Sequence, residues 1–172
     1  MTVGITLVLA DGALLVADSR QTRFLAPGAP YGDDSIKIRR VGKFDVATLS
    51  FGITEVTRVA VARLEAKVVN DVPPEALLAL ASTALDSAWR ELLTKKSADV
   101  DIFHPNATTA IAVAGVASGI PCLVGALVRA DSATGNLHFR SPALSTARYT
   151  WLILGPKEQS LMEKYFGDRV RL

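Results

Sequence analysis

The sequence predicts an α+β fold, with antiparallel sheets that carry helices on their outer faces. Two observations lead there. Strand-like segments come in runs, four before a pair of long helices and three or four after it, with no strict strand–helix alternation; that order segregates helices from sheets. Two of the segments, "TTAIAVAG" and "WLILG", are apolar on both faces, as strands sandwiched between layers are. At 172 residues, 49% of them hydrophobic, the chain is long enough for one sizeable core and short for two. It has no repeat, low-complexity tract or linker, so residues 1–172 read as a single domain.

The first strand is "TVGITLVLA", a mostly apolar run with β-branched residues. Asp11-Gly12 then marks a tight hairpin turn into "ALLVADS". "RFLAPGAPYGDD" is rich in Pro, Gly and Asp and reads as an excursion loop. In "SIKIRRV" the apolar Ile36, Ile38 and Val41 alternate imperfectly with polar positions, and "GKFDVATLSFG" puts Phe44, Val46 and Thr48 on one face.

The period then becomes helical. Between Ile53 and Asn70 an apolar stripe forms from Val56, Val59, Ala60, Leu64 and Val68. "VPP" breaks the chain, and Pro74 with Glu75 suits the first turn of a second helix. That helix runs to about Lys95 through Leu77, Leu80, Ala81, Leu85, Ala88 and Leu92. After the loop "SADVDIFHPN" come the strands "ATTAIAVAGV", "PCLVGALVRAD", "NLHFRSPA" and "TWLILG", with "DSATGN" as a turn. A short helix, "KEQSLMEKYF", follows.

Composition excludes several function classes. With 19 basic and 17 acidic residues the net charge is only +2. The one basic cluster, "KIRRVGK", lies in a strand pair without interleaved aromatics, which argues against nucleic acid. No apolar run reaches the roughly 18 residues of a membrane span, and no secretory leader is recognisable, so a soluble cytoplasmic protein is expected. Cys122 is the only cysteine; it sits in an apolar run and reads as a buried, inert thiol. His104 lies in a loop and His138 in a strand, neither with the spaced partners of a zinc site. "GVASG" and "LGPKE" do not match a phosphate loop. No metal and no cofactor is expected.

Chemistry concentrates at the front of the chain. Thr2 stands directly behind Met1, the first hairpin ends in Asp18-Ser19-Arg20-Gln21-Thr22, and Lys37 opens "KIRR". The stretch "TVGITLVLADGALLVADSRQT" resembles the N-terminal hairpin of proteasome β-type subunits, a family of N-terminal nucleophile (Ntn) hydrolases. "SIKIRRVGKFDVATLSFG" is similar to the strand pair that carries the family's active-site lysine, with "KIRR" similar to the bacterial heat-shock peptidase (HslV) branch. The order of the later helices and strands agrees through "LILGP" and the helix after it.

The resemblance implies a four-layer αββα sandwich of two antiparallel sheets, here with a shortened C-terminal part. It implies a threonine endopeptidase with Thr2 as nucleophile and Lys37 and Asp18 as its support. Backbone amides near Phe51 and Gly52 would receive the oxyanion, and Thr22, Leu49 and Ile53 would contact substrate. It further implies self-association into stacked homo-oligomeric rings around a chamber, unfolded polypeptide as substrate, and an ATP-dependent unfoldase as partner. Three departures stand out: Phe51 where the family has a small residue, Leu154-Gly155-Pro156 where it has Gly-Ser-Gly, and "YFGDRVRL" where its two closing strands and Asp-x-x-Ser pair would begin. They keep open a catalytically silent ring or scaffold subunit, and an amidase of the same superfamily acting on small molecules.

The same residues make chemical sense without the family. A neutral Thr hydroxyl is a weak nucleophile and needs a base. A free N-terminal amine titrates near 8, about the right value for that base at cellular pH. While Met1 is attached the Thr2 nitrogen is an amide; Thr is small enough for aminopeptidase removal of Met1, and cutting that one bond exposes nucleophile and base together. A nearby ammonium lowers the cost of the alkoxide and disfavours protonation of the amine. A carboxylate must then balance the buried lysine.

Overall fold

The computed structural model describes residues 4–18, 36–41, 45–95, 108–130, 137–148 and 150–154. The branched residues of the first run form β1 (Gly4–Val8), which pairs antiparallel with β2 (Ala13–Ala17). Leu9 N–H donates to Gly12 C=O at 2.8 Å, so Ala10 and Asp11 make the turn, one position before the expected Asp-Gly. The two registers differ by two residues, and a two-residue slip leaves the same side chains facing inward. Alternation therefore cannot choose between them.

Next come β3 (Ile38–Arg40), β4 (Val46–Phe51), α1 (Thr54–Lys67) and α2 (Pro74–Lys95), then β5 (Thr108–Ala117), β6 (Ile120–Ala130), β7 (Leu137–Ser145) and β8 (Trp151–Leu154). Strands assemble as β2-β1-β8 and as β3-β4-β5-β6-β7, and every pairing is antiparallel. The expected α+β class with two antiparallel sheets is what the chain adopts. The loop 97–106, the turn 131–136 and the helix 157–166 lie outside the described residues.

The middle of the five-stranded sheet, β5 above all, is buried on both faces. On one face Ile111, Val113, Val124 and Val128 meet Leu64, Leu77, Leu85 and Trp89 of the two helices, forming the larger core. On the other, Ala110, Ala112 and Ala114 of β5 meet Val8 of β1 and Leu49 of β4. β5 thus presents branched side chains to the helices and alanines to the second sheet, which lets the two sheets approach closely. Burying each Leu or Val of these clusters contributes roughly 1.5–3 kcal/mol. The predicted helix stripes lie on this core, and Trp89, absent from the predicted stripe, is fully buried at its centre. Cys122 is also buried there, and that burial pushes its thiol up, against the pull of the Ala117 backbone N–H, which donates to the sulfur. Among the described residues no helix is long and apolar enough to cross a membrane.

Helix ends and turns follow local chemistry. Pro74 opens α2, and the Pro73 carbonyl accepts the Leu77 N–H at 3.0 Å. Arg63 of α1 forms an ion pair with Glu91 of α2 and donates to Ser87 Oγ at 2.9 Å, which sets the helices side by side. The β5–β6 hairpin turns on Ser118 (φ 50°) and Gly119 (φ 75°), with the Ser118 N–H held by Asp71 Oδ1 at 2.8 Å. Left-handed backbone at both central positions is the type I′ arrangement, and it favours Asn before Gly. Ser118→Asn is expected to stabilise the protein by about 0.5 kcal/mol, since Asn tolerates this conformation better than Ser. A urea midpoint at or below that of the wild type would contradict it.

Candidate active site

Three chain segments meet at one end of the sandwich. β2 is followed by Asp18, β3 is preceded by Lys37, and β4 runs out through Ser50 and Phe51 to Gly52. Lys37 and Asp18 form an ion pair that links the two sheets. The Lys37 side chain is 7% exposed and that of Asp18 33%. Lysine is almost never buried unless paired, so the carboxylate compensates for the loss of water around the ammonium. The Lys37 carbonyl accepts from Ser50 N–H at 3.0 Å, which fixes Lys37 beside the end of β4.

The alternation expected for "SIKIRRV" fails at this point. Ile36 is 71% exposed while Lys37 is buried. A charged residue in and an apolar one out is a local inconsistency of the kind that functional sites impose.

Gly52 joins β4 to α1 with φ 103°, a conformation that only glycine adopts without strain. Ile53 is the N-cap of α1 and supplies no side-chain cap. Its own N–H is held by Thr109 Oγ1 at 3.4 Å, from the start of β5. The amides of the first turn therefore keep the positive end of the helix at this edge of the sandwich, without an N-cap side chain across it.

Among the other predicted site residues, Phe51 is half-buried against the inter-sheet core and Gly52 is exposed. Ile53 is half-buried against the helix-side core. Leu49 differs from expectation: it has no exposed surface and belongs to the inter-sheet core. Its position on β4, opposite Ile38, turns it inward, where packing takes up all of its surface. Thr2 and Thr22 lie outside the described residues. Gly4, the first described residue, pairs with Ala17, next to Asp18.

Sequence reasoning passed over Gly4, Ser50 and Thr109. A glycine inside a strand signals close backbone approach, and that rule could have drawn attention to Gly4. Ser50 and Thr109 carry no comparable signal. Among the described residues no group of three His, Cys, Asp or Glu side chains could hold a metal ion. His104 lies outside them, and His138 is on β7.

No protein-family model and no curated protein sequence matches the chain. Solved structures do. The Anbu complex of Pseudomonas aeruginosa, described as a helical assembly, matches with a TM-score of 0.55 at 17% identity, over 94% of this chain and 65% of that one. Anbu, an ancestral beta-subunit, from Yersinia bercovieri matches with a TM-score of 0.55 at 18% identity, over 98% and 65%. A Gly-1 mutant of Anbu from Hyphomicrobium sp. matches with a TM-score of 0.50 at 16% identity, over 96% and 66%. The chain thus spans about two thirds of the length of these Anbu chains. At such identities the likeness is one of fold alone: the chain has the α+β, Ntn-like fold seen in these Anbu chains.

Proposed function

We propose that the protein is a threonine-type N-terminal nucleophile hydrolase, an endopeptidase subunit of a self-compartmentalised, proteasome-like ring. The observation that carries this reading is the buried Lys37–Asp18 ion pair at the end of the sandwich where β1 begins, two residues after Thr2 in the sequence. A buried lysine with a carboxylate partner is what a Thr nucleophile with its own amine as base needs beside it.

In this mechanism Met1 is removed and the Thr2 α-amine is free. The amine accepts the Thr2 hydroxyl proton as Oγ attacks a peptide carbonyl carbon. The resulting oxyanion is met by backbone amides near Phe51 and Gly52 at the start of α1. Collapse breaks the C–N bond, the departing amine takes the proton back, and an acyl ester remains on Thr2. Water, deprotonated by the same amine, then releases the acid. The Lys37 ammonium favours the neutral amine and the developing alkoxide, and Asp18 holds Lys37 in place. Half-buried Ile53 and Phe51 would flank an apolar side chain of an unfolded polypeptide, with Thr22 along the bound strand. Residues 1–172 act as one domain within a cytoplasmic ring that an ATP-dependent unfoldase feeds.

Intact mass of natively expressed protein, with and without a peptide β-lactone, tests the chemistry. The expected result is loss of Met1 and gain of one lactone mass, assigned to Thr2 by fragmentation. Thr2 Oγ opens the lactone ring, forms an ester, and leaves the proton on the freed hydroxyl, so the full lactone mass is added. Folded, Met1-free protein without an adduct would overturn the enzyme reading. If that same protein sedimented as a ring, a silent scaffold subunit would replace it.

A further inference from the structure

We infer that Gly4 is a positioning residue for the nucleophile: because it lacks a Cβ, Leu49 seats directly against the start of β1 and holds it against the Lys37 segment. The inference rests on the reading of Thr2 as nucleophile. A Cβ built on Gly4 would lie 2.7 Å from Leu49 Cδ2, 3.1 Å from Cδ1 and 3.2 Å from Cγ. Three atoms of one side chain thus occupy the space where a methyl group would stand. Ordinary carbon contact begins near 3.5 Å, so about 0.8 Å of movement would be needed to admit it.

Leu49 has no room to yield. It is 0% exposed and shares its cluster with Val8, Ala110, Ala112, Ala114 and Leu123. It also pairs in register with Ile38, the residue after Lys37. A push on Leu49 is therefore a push on the strand that follows Lys37, and the alternative is displacement of β1. Gly4 is bound on both sides, to Ala17 of β2 and Leu154 of β8, so β1 is the middle strand at this point. Thr2 is two residues upstream, within about 7 Å of chain. On the reading of Thr2 as nucleophile, where Gly4 rests therefore limits how far the Thr2 amine and hydroxyl can stand from Lys37 and its Asp18 partner.

The test compares Met1-free wild type, Gly4→Ala, Leu49→Ala and the Gly4→Ala/Leu49→Val pair, by peptide β-lactone labelling rate across the range where an α-amine titrates. A displacement of this size should slow labelling of Gly4→Ala about 10- to 100-fold at neutral pH. The acid limb of its pH profile should also move to higher pH, because an amine farther from the Lys37 ammonium is easier to protonate. The paired variant removes bulk from Leu49 where Gly4→Ala adds it, and should recover most of the rate and the limb. A role in packing alone would lower the thermal midpoint and leave the acid limb at its wild-type position; that result overturns the inference, as does a wild-type rate in Gly4→Ala. If Gly4→Ala does not fold, Leu49→Ala takes its place by removing the atoms on which Gly4 rests. It should slow labelling and shift the limb in the same direction, and an unshifted limb there is equally fatal. Wild-type protein that fails to label overturns the reading of Thr2 and this inference together, whereas labelling wild type with unaffected variants overturns this inference alone.

Discussion

Gly115→Ala is expected to destabilise the protein by about 3–5 kcal/mol, the sum of strained backbone, overpacking and one weakened hydrogen bond. Gly115 has φ 150°, and a Cβ there would stand 2.0 Å from the Asp45 carbonyl oxygen, 2.7 Å from Val46 Cα and 2.9 Å from the Asp45 carbonyl carbon. All three are backbone atoms, so no rotamer change relieves the clash. The crossing is held by Val116 N–H, which donates to the same Asp45 carbonyl at 2.8 Å. Alanine must therefore push β5 away from β4 where the central sheet carries the core on both faces. Since domains are stable by only about 5–15 kcal/mol, a large share of the total would go. Gly119→Ala is the natural comparison: φ is 75° but nothing lies within 4 Å, so only backbone strain of about 1–2 kcal/mol applies. Urea unfolding of both variants checks the pair. Equal midpoints would show that the close crossing at Gly115 relaxes at little cost.

Parts of this architecture can be read from the residues, and other parts cannot, for identifiable reasons. α2 is legible because Pro73-Pro74 stops one element and starts the next, and because its apolar positions repeat at helical spacing. β5 is legible because "TTAIAVAG" is apolar in both phases, and it is indeed buried on both faces. The β1–β2 turn is not, since two registers bury the same side chains. Leu49 looks like a pocket residue by its place in the resemblance, and only the packing of one sheet on the other reveals that its surface is fully taken up. The meeting of Asp18 and Lys37 lies beyond any local pattern. They are 19 residues apart, on different sheets, and the binary pattern around Lys37 would turn Ile36 inward instead. The resemblance of two short segments to proteasome β-type subunits proposed that pair, and the ion pair is present.

Lys37→Ala should weaken both the fold and the chemistry, more than any other single change at the candidate site outside Thr2 itself. Breaking a buried ion pair from one side costs roughly 3–5 kcal/mol when the remaining charge is fully enclosed. The Asp18 side chain is 33% exposed, so water and protonation relieve part of that, and a stability loss of about 2 kcal/mol is expected. The loss of reactivity has another origin. Without the ammonium, the Thr2 amine is easier to protonate and the alkoxide loses its nearest positive charge, so labelling by a peptide β-lactone should fall by about 100-fold or more. Asp18→Asn keeps the shape of the side chain and an oxygen that can accept from Lys37, but removes the opposite charge. It should lower turnover by about 10-fold while leaving substrate affinity nearly unchanged, because the interaction lost acts mainly in the transition state. The two changes strike one device. Once Lys37 is gone, Asp18 has no ammonium to hold, and its removal should add little; the double variant should fall well short of additive in labelling rate. The cycle is best run on assembled, Met1-free protein, with thermal midpoints recorded for all four forms so that loss of fold is separated from loss of reactivity. Additive losses would mean that Lys37 and Asp18 act independently, and the support assigned to Thr2 would then have to come from a different set of residues.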